Sequence, residues 1–205
     1  LCLTALIWGL AFVAQSGGGE LVPPLTFNAL RAYIAAAALY IFYKITSIKK
    51  EKHFFPEDKA LKKQYLTAGA VCGAMLTVSV NFQQFGISAY PSGAAAEARS
   101  GFITALYVVF VPVISLLLGK KANPVIWISV LIAVAGFYLL CFSGGVSGIY
   151  TGDILVFICA FCFACQIISV DKYVGVTGGI KLSIMQFTVV GILSTVSALI
   201  FERPS

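Results

Sequence analysis

Apolar runs long enough to cross a bilayer recur along this chain with only short, turn-rich connectors between them. No other feature restricts the fold as tightly. A spanning helix needs about 20 apolar residues. By that ruler seven spans are predicted: Leu1 to Ser16, Leu25 to Tyr43, Gln64 to Ile87, Gly93 to Leu118, Pro124 to Phe142, Asp153 to Val170 and Lys181 to Phe201. The connectors carry turn residues, among them Gly17-Gly18-Gly19 with Pro23-Pro24, Tyr90-Pro91-Ser92, Gly119 to Asn123, Ser143-Gly144-Gly145 and Gly178-Gly179. Composition points the same way. Hydrophobic residues make up 60% and charged residues 11%, where a soluble domain is about half apolar and about a quarter charged. With a mean hydropathy of +0.96, the chain cannot cover itself with polar surface in water. The predicted fold is all-α, a polytopic transmembrane helical bundle.

Charge placement sets an expected orientation. Seven of the 14 basic residues fall between Lys44 and Lys63. If the first span enters from the cytoplasm, Lys120, Lys121, Lys172 and Lys181 join them on the inner side. Glu20 and Asp153 then lie in outer connectors that hold no basic residue before Arg203. Lys and Arg in short loops mark the cytoplasmic face, so the net charge of +6 is read as attraction to anionic lipid and not to nucleic acid. The six cysteines lie inside apolar runs, which excludes an oxidised framework of polar loops. Cys159, Cys162 and Cys165 share a span without a nearby His, so they are read as small packing residues and no metal site is expected. His53, the one histidine, is expected in solvent. Leu1 opens inside an apolar run, without the basic stretch and cleavage site of a signal peptide. Both chain ends are read as cut edges of a longer protein.

The candidate functional residues are the polar groups inside the spans. Glu97, Arg99 and Arg31 each sit five to eight residues into a predicted span, hence roughly 10 Å deep at 1.5 Å per residue. Ionisable groups there face a cavity or a partner. Glu97 is expected to pair with Arg31, which leaves Arg99 for an anionic substrate group. A structural ion pair near the headgroups is the competing reading. Glu97 is also the one acidic residue placed within a span and not at a helix end, so it is the candidate for proton coupling. Polar residues recur at helical spacing on Thr77, Asn81, Gln84 and Ser88, on Thr4, Trp8 and Gln15, on Glu97 and Thr104, and on Cys159, Cys162, Gln166 and Ser169. Such faces meet other helices or water. Trp8, Gln15, Arg31, Asn81, Gln84, Glu97, Arg99, Thr104 and Gln166 therefore form the candidate substrate-binding set. Gly69 and Gly73 have the GxxxG spacing of close helix packing, and Pro112 is placed to kink the fourth span.

A faint internal repeat relates Trp8-Gly9 to Phe163-Ala164 and Arg31 to Gln186 at one common offset. Five spans separate the equivalents, so the second copy is inverted, as in many secondary transporters. The stretch Ala5 to Val13 resembles the first-helix signature of the drug/metabolite transporter superfamily, EamA type, and Asn28 to Tyr33 resembles its second helix. Gly101 to Pro112 is similar to a fourth-helix pattern of one bacterial subgroup, and Gly152-Asp153 with Ala160 to Gln166 looks like the start of that family's second repeat. The resemblance implies two inverted five-helix repeats with both termini cytoplasmic. Residues 1–143 would be the first repeat, and residues 152–205 the first two helices of the second, with about three further spans beyond Ser205.

The implied function is that of a secondary transporter in the cell membrane, moving a small metabolite or drug by alternating access. A channel or a structural membrane subunit is the alternative. An intramembrane enzyme is disfavoured, because no span holds a His, no Gly-x-Ser-x-Gly occurs, and Asp153 and Asp171 sit at helix ends. No catalytic residue and no cofactor are expected. The expected partners are a small-molecule substrate and the lipid bilayer, with a homodimer as a further candidate.

Overall fold

The computed structural model describes residues 2–47, 54–119, 125–142 and 149–202, and the regular structure there is entirely helical. In chain order the helices are α1 (Cys2–Leu21), α2 (Pro24–Ser47), α3 (Lys59–Ser88), α4 (Ala96–Ala105), α5 (Tyr107–Leu117), α6 (Val125–Phe142), α7 (Thr151–Thr177) and α8 (Gly179–Phe201). Among the described residues, Pro24–Thr46, Lys59–Ser88, Ala96–Leu117, Thr151–Thr177 and Gly179–Phe201 are long and apolar enough to cross a membrane. Leu6–Gly18 and Val125–Gly136 are shorter apolar helices. The chain is a polytopic helical bundle. Large apolar side chains stay exposed along it, including Leu131 at 70% and Leu199 at 73%. Lipid is the solvent that suits such a surface.

The fourth expected span is one span in two helices. Leu106 interrupts it with a tight turn in which the Leu106 N–H donates to Ile103 and the Val109 N–H to Leu106. Downstream, Pro112 lies inside α5 and has no N–H to offer the carbonyl four residues back, which relaxes the helical ladder on this side. Several boundaries differ from expectation: α1 continues through Gly17-Gly18-Gly19, expected as a connector, to Leu21, and α2 continues to Ser47. The α3 helix starts at Lys59, five residues early, because the Asp58 carboxylate accepts the Leu61 N–H at 2.8 Å and caps the first turn. The α4 helix starts at Ala96, not Gly93, because Gly93 and Ala95 have positive φ angles of 84° and 50° that no right-handed helix admits. Finally, α7 continues past Val170 through Asp171 and Lys172 to Thr177. Lys49, Lys50, Lys52, His53, Lys120, Lys121 and Arg203 lie outside the described residues.

The helices form two compact units. The first comprises residues 1–24 and 79–165, the second residues 25–78 and 166–205, so α3 and α7 contribute to both. In the first unit, Ile103, Leu106, Val156 and Ala160 form a buried core, with Tyr90, Val109, Phe110 and Ala133 packed on it. Phe110 meets Phe157 and Phe161 edge-on, at 5.2 and 5.8 Å between ring centroids. In the second unit the core is Tyr65, Ala68, Cys72, Leu182 and Met185. Lys181, expected in an inner connector, stands in the first turn of α8. Its ammonium lies 5.6 to 5.9 Å from the rings of Tyr43, Phe54 and Tyr65, within cation–π range.

Close backbone approach holds α3 to its neighbours. A Cβ on Gly69 would come within 2.8 Å of the Met185 Cβ, and one on Gly73 within 2.5 Å of the Val189 Cβ. The GxxxG spacing is therefore the seam between α3 and α8. A second seam, in the first unit, sets Gly86 against Val156 and Gly152 against the Gly86 carbonyl, with would-be Cβ contacts of 2.5 and 2.8 Å. One carboxylate joins the start of α2 to the end of α8 in the second unit. Glu202 accepts the Leu25 N–H at 2.6 Å, the Thr26 N–H at 2.9 Å and the Thr26 hydroxyl at 2.6 Å. It thus supplies from α8 the acceptors that the first turn of α2 lacks, and Pro24 needs none. Gly73→Val is expected to cost about 1–3 kcal/mol through overpacking, read as a lower unfolding temperature of the full-length protein in detergent. Gly175→Ala, where nothing lies within 4 Å of the added Cβ, is the control and should not lower it.

Candidate functional site

In the first unit the site is built on α1, the last turns of α3, and α4. The side chains of Gln15, Gln83, Gln84, Ser100 and Thr104 are all buried there, Gln84 and Thr104 completely. The Gln84 amide N–H donates to the main-chain carbonyl of Gln15 at 3.1 Å. A carbonyl only accepts, so this bond fixes which way the Gln84 amide points. Gln83 donates to the Thr104 hydroxyl at 3.2 Å. The Oε1 atoms of Gln15 and Gln84 are buried without a hydrogen-bond partner. A buried acceptor left unpaired costs about 1–3 kcal/mol, so these two positions favour whatever brings a donor to them. Towards the other end of α1, Trp8 is 42% exposed and lies 6.2 to 6.5 Å from the rings of Phe12, Tyr107 and Phe163.

Above this cluster is a cavity of about 670 Å³, lined by Ser16, residues 87 and 88, and residues 90–97. Glu97 is the one charged side chain among its lining residues. It stands in the first turn of α4, where helix N–H groups favour a carboxylate. Its carboxylate accepts from the Ser16 hydroxyl and from its own main-chain N–H.

Arg99 has a different partner from the one expected. It forks onto Asp153, Nε to Oδ1 at 3.0 Å and Nη2 to Oδ2 at 2.6 Å, with both side chains at most 4% exposed. The same carboxylate accepts the Tyr90 hydroxyl at 2.7 Å and the Tyr150 N–H at 2.9 Å. Asp153 is thus not a residue of an outer connector: it is buried in the first turn of α7, reaching back three residues in the manner of a capping box. The guanidinium also lies 5.0 Å from the Tyr150 ring centroid. The excess positive charge assigned to Arg99 is therefore cancelled, because a buried cation persists only where it is paired. Burial, and then the Asp153 carboxylate, push the Tyr90 hydroxyl well above the ordinary phenol range, so it stays a donor at neutral pH.

Arg31 and Gln166 belong to the second unit. The Arg31 guanidinium lies 5.8 Å from the Phe27 ring centroid. Gln166 donates to the Gln186 side chain at 3.0 Å, both buried. Asn81 is half-buried on α3 in the first unit. Of the nine candidates, then, Gln15, Gln84, Glu97, Arg99 and Thr104 gather at the α1, α3 and α4 end of the first unit. Sequence reasoning missed Gln83, Tyr90 and Asp153 there. Asp153 carried a usable signal: an acidic residue three positions into an apolar helix, directly after a glycine.

The chain is multi-spanning, and its first unit has a buried polar cluster beside an open cavity. The EamA-like transporter family model matches residues 1–142, and the chain belongs to that family. A protein of Archaeoglobus fulgidus described as an "Uncharacterized transporter" is 31% identical over 195 residues, which is 95% of this chain and 55% of that protein. The chain thus spans about half the length of the curated relative it matches. No solved structure matches it significantly.

The buried pair yields a stability prediction. Asp153→Asn leaves Arg99 buried with its charge uncompensated, at an expected cost of about 3–5 kcal/mol. Tyr90→Phe removes one hydrogen bond to a charged group, expected to cost about 1.5–3 kcal/mol. Thermal unfolding of the full-length protein in detergent should rank wild type above Tyr90→Phe, and Tyr90→Phe above Asp153→Asn. If Asp153→Asn unfolds with wild type, the pair does not hold α4 to α7.

Proposed function

We propose that the protein is a secondary transporter of the cell membrane, moving a small amine-bearing metabolite or drug by alternating access. Membership of the EamA-like family supports transport over catalysis. The faint repeat that relates Trp8-Gly9 to Phe163-Ala164 and Arg31 to Gln186 supports a carrier over a channel.

The single observation that carries the substrate class is the charge balance of the first unit. Asp153 neutralises Arg99, which leaves Glu97 as the charged side chain facing the cavity. Two nearby unpartnered atoms are acceptors: Gln15 Oε1 sits one residue before Ser16 of the lining, and Gln84 Oε1 one helical turn before Ser88. A set of acceptors with one net negative charge suits a solute rich in N–H donors, an ammonium first of all. An anion would meet repulsion from Glu97, the one charged side chain of the lining.

The full-length protein in proteoliposomes, offered cationic, zwitterionic and anionic solutes, tests this directly. Saturable counterflow of amines is expected. Glu97→Gln should lower it about 10- to 100-fold, the range for losing a hydrogen bond to a charged group, while the unfolding temperature is kept. Preferred transport of anions, indifferent to Glu97→Gln, would overturn the substrate class and leave the carrier intact. A steady, unsaturable conductance would overturn the carrier itself.

A further inference from the structure

The second unit has a cavity of its own, about 510 Å³, lined by Ala60, Lys63, Gln64, Thr67, Lys172, Tyr173, Val176 and Thr177. It lies where the basic start of α3 meets the last turns of α7. Lys63 and Lys172 come from these two different helices, and both are exposed. Gln64 and Thr67 add neutral donors. No carboxylate is among the lining residues. The acids closest in sequence are engaged: Asp58 caps α3 through the Leu61 N–H, and Asp171 and Glu57 each have interactions of their own.

Depth decides what such a pocket meets. The α3 helix has 30 residues and α7 has 27, so at 1.5 Å per residue they are about 45 and 40 Å long. The hydrocarbon core is about 30 Å thick. The ends of both helices therefore stand in the headgroup layer. Lys63 is four residues from the start of α3, and Lys172 five from the end of α7. Two cations at that level, on either side of a space large enough for a polar headgroup, make an anion site in which lysine ammoniums reach a phosphate as point charges.

We propose that this cavity binds a phosphate-bearing anion, held between Lys63 and Lys172 with Gln64 and Thr67 as secondary donors. The headgroup of an anionic phospholipid and a soluble organic phosphate share this chemistry. The site is separate from the Glu97 cavity and does not rest on the transport reading.

The test is native mass spectrometry of the full-length protein released from vesicles of phosphatidylglycerol or of phosphatidylcholine, with glycerol 1-phosphate as the soluble probe. Wild type should retain phosphatidylglycerol in preference to phosphatidylcholine. Each single variant, Lys63→Gln or Lys172→Gln, should weaken retention about fivefold, and the pair about 30-fold, taking each lysine as worth one basic residue at an anionic surface. Lys59→Gln, outside the cavity lining, should leave it unchanged. Phosphatidylglycerol retained and glycerol 1-phosphate ignored assigns the site to lipid. Glycerol 1-phosphate bound in its place, with the same lysine dependence, assigns it to a soluble phosphate. Equal retention of the two lipids with no binding of glycerol 1-phosphate, or an equal loss in Lys59→Gln, would overturn the site.

Discussion

A helix in lipid gains little from hiding leucine, because the tails around it are as apolar as the leucine is. This constraint governs the rest of the structure. What then joins helices is close backbone approach and polar contact, and α3 shows both. Its glycines at 69 and 73 admit α8 in the second unit, and Gly86 admits the start of α7 in the first. Between these seams its polar residues turn inward, with Ser79, Gln83 and Gln84 at most 4% exposed. The same helix thus supplies the tightest packing and the most buried amides of the described chain.

The Arg99–Asp153 pair follows from that constraint. Charges placed in a membrane domain need a partner, and here the partner arrives with two further donors, Tyr90 and the Tyr150 N–H. The four hydrogen bonds on Asp153 tie α4, the connector after α3, and the start of α7 to one carboxylate. The pair also decides the electrostatics of the nearby cavity. With Arg99 neutralised, Glu97 gives that space its sign. The two cavities are therefore opposite in character, acidic in the first unit and basic in the second, each set by residues at helix ends where side chains leave the hydrocarbon.

Much of the fold was legible in the sequence, because the length and apolarity of a membrane span are local properties. The seven runs and the GxxxG seam could be read from residue types alone, whereas the fourth span breaks at Leu106 and not at Pro112, where a kink was expected. The helix ends were less legible. Asp58 capping Leu61, and Ala95 in a left-handed conformation, shift boundaries by several residues, and neither shows in hydropathy. Half of the site was legible as well. Helical spacing picks out Gln15, Gln84 and Thr104, but it gives no direction around the helix axis. Hence it ranked Ser88, which is exposed, with Gln84, and passed over Gln83.

By itself, the sequence determined that this chain is a helical bundle for lipid, where its helices run, and that a few polar residues lie inside it. Those conclusions follow from composition and period, which each segment carries alone. Only the tertiary structure decided which charges cancel. Arg99 and Asp153 are 54 residues apart, and nothing along the chain distinguishes that pairing from one between Arg31 and Glu97. Coulomb attraction and hydrogen-bond geometry act over a few ångströms of space. The sign of the cavity beside Glu97 therefore rests on how α4 and α7 pack, through a contact that no local segment contains.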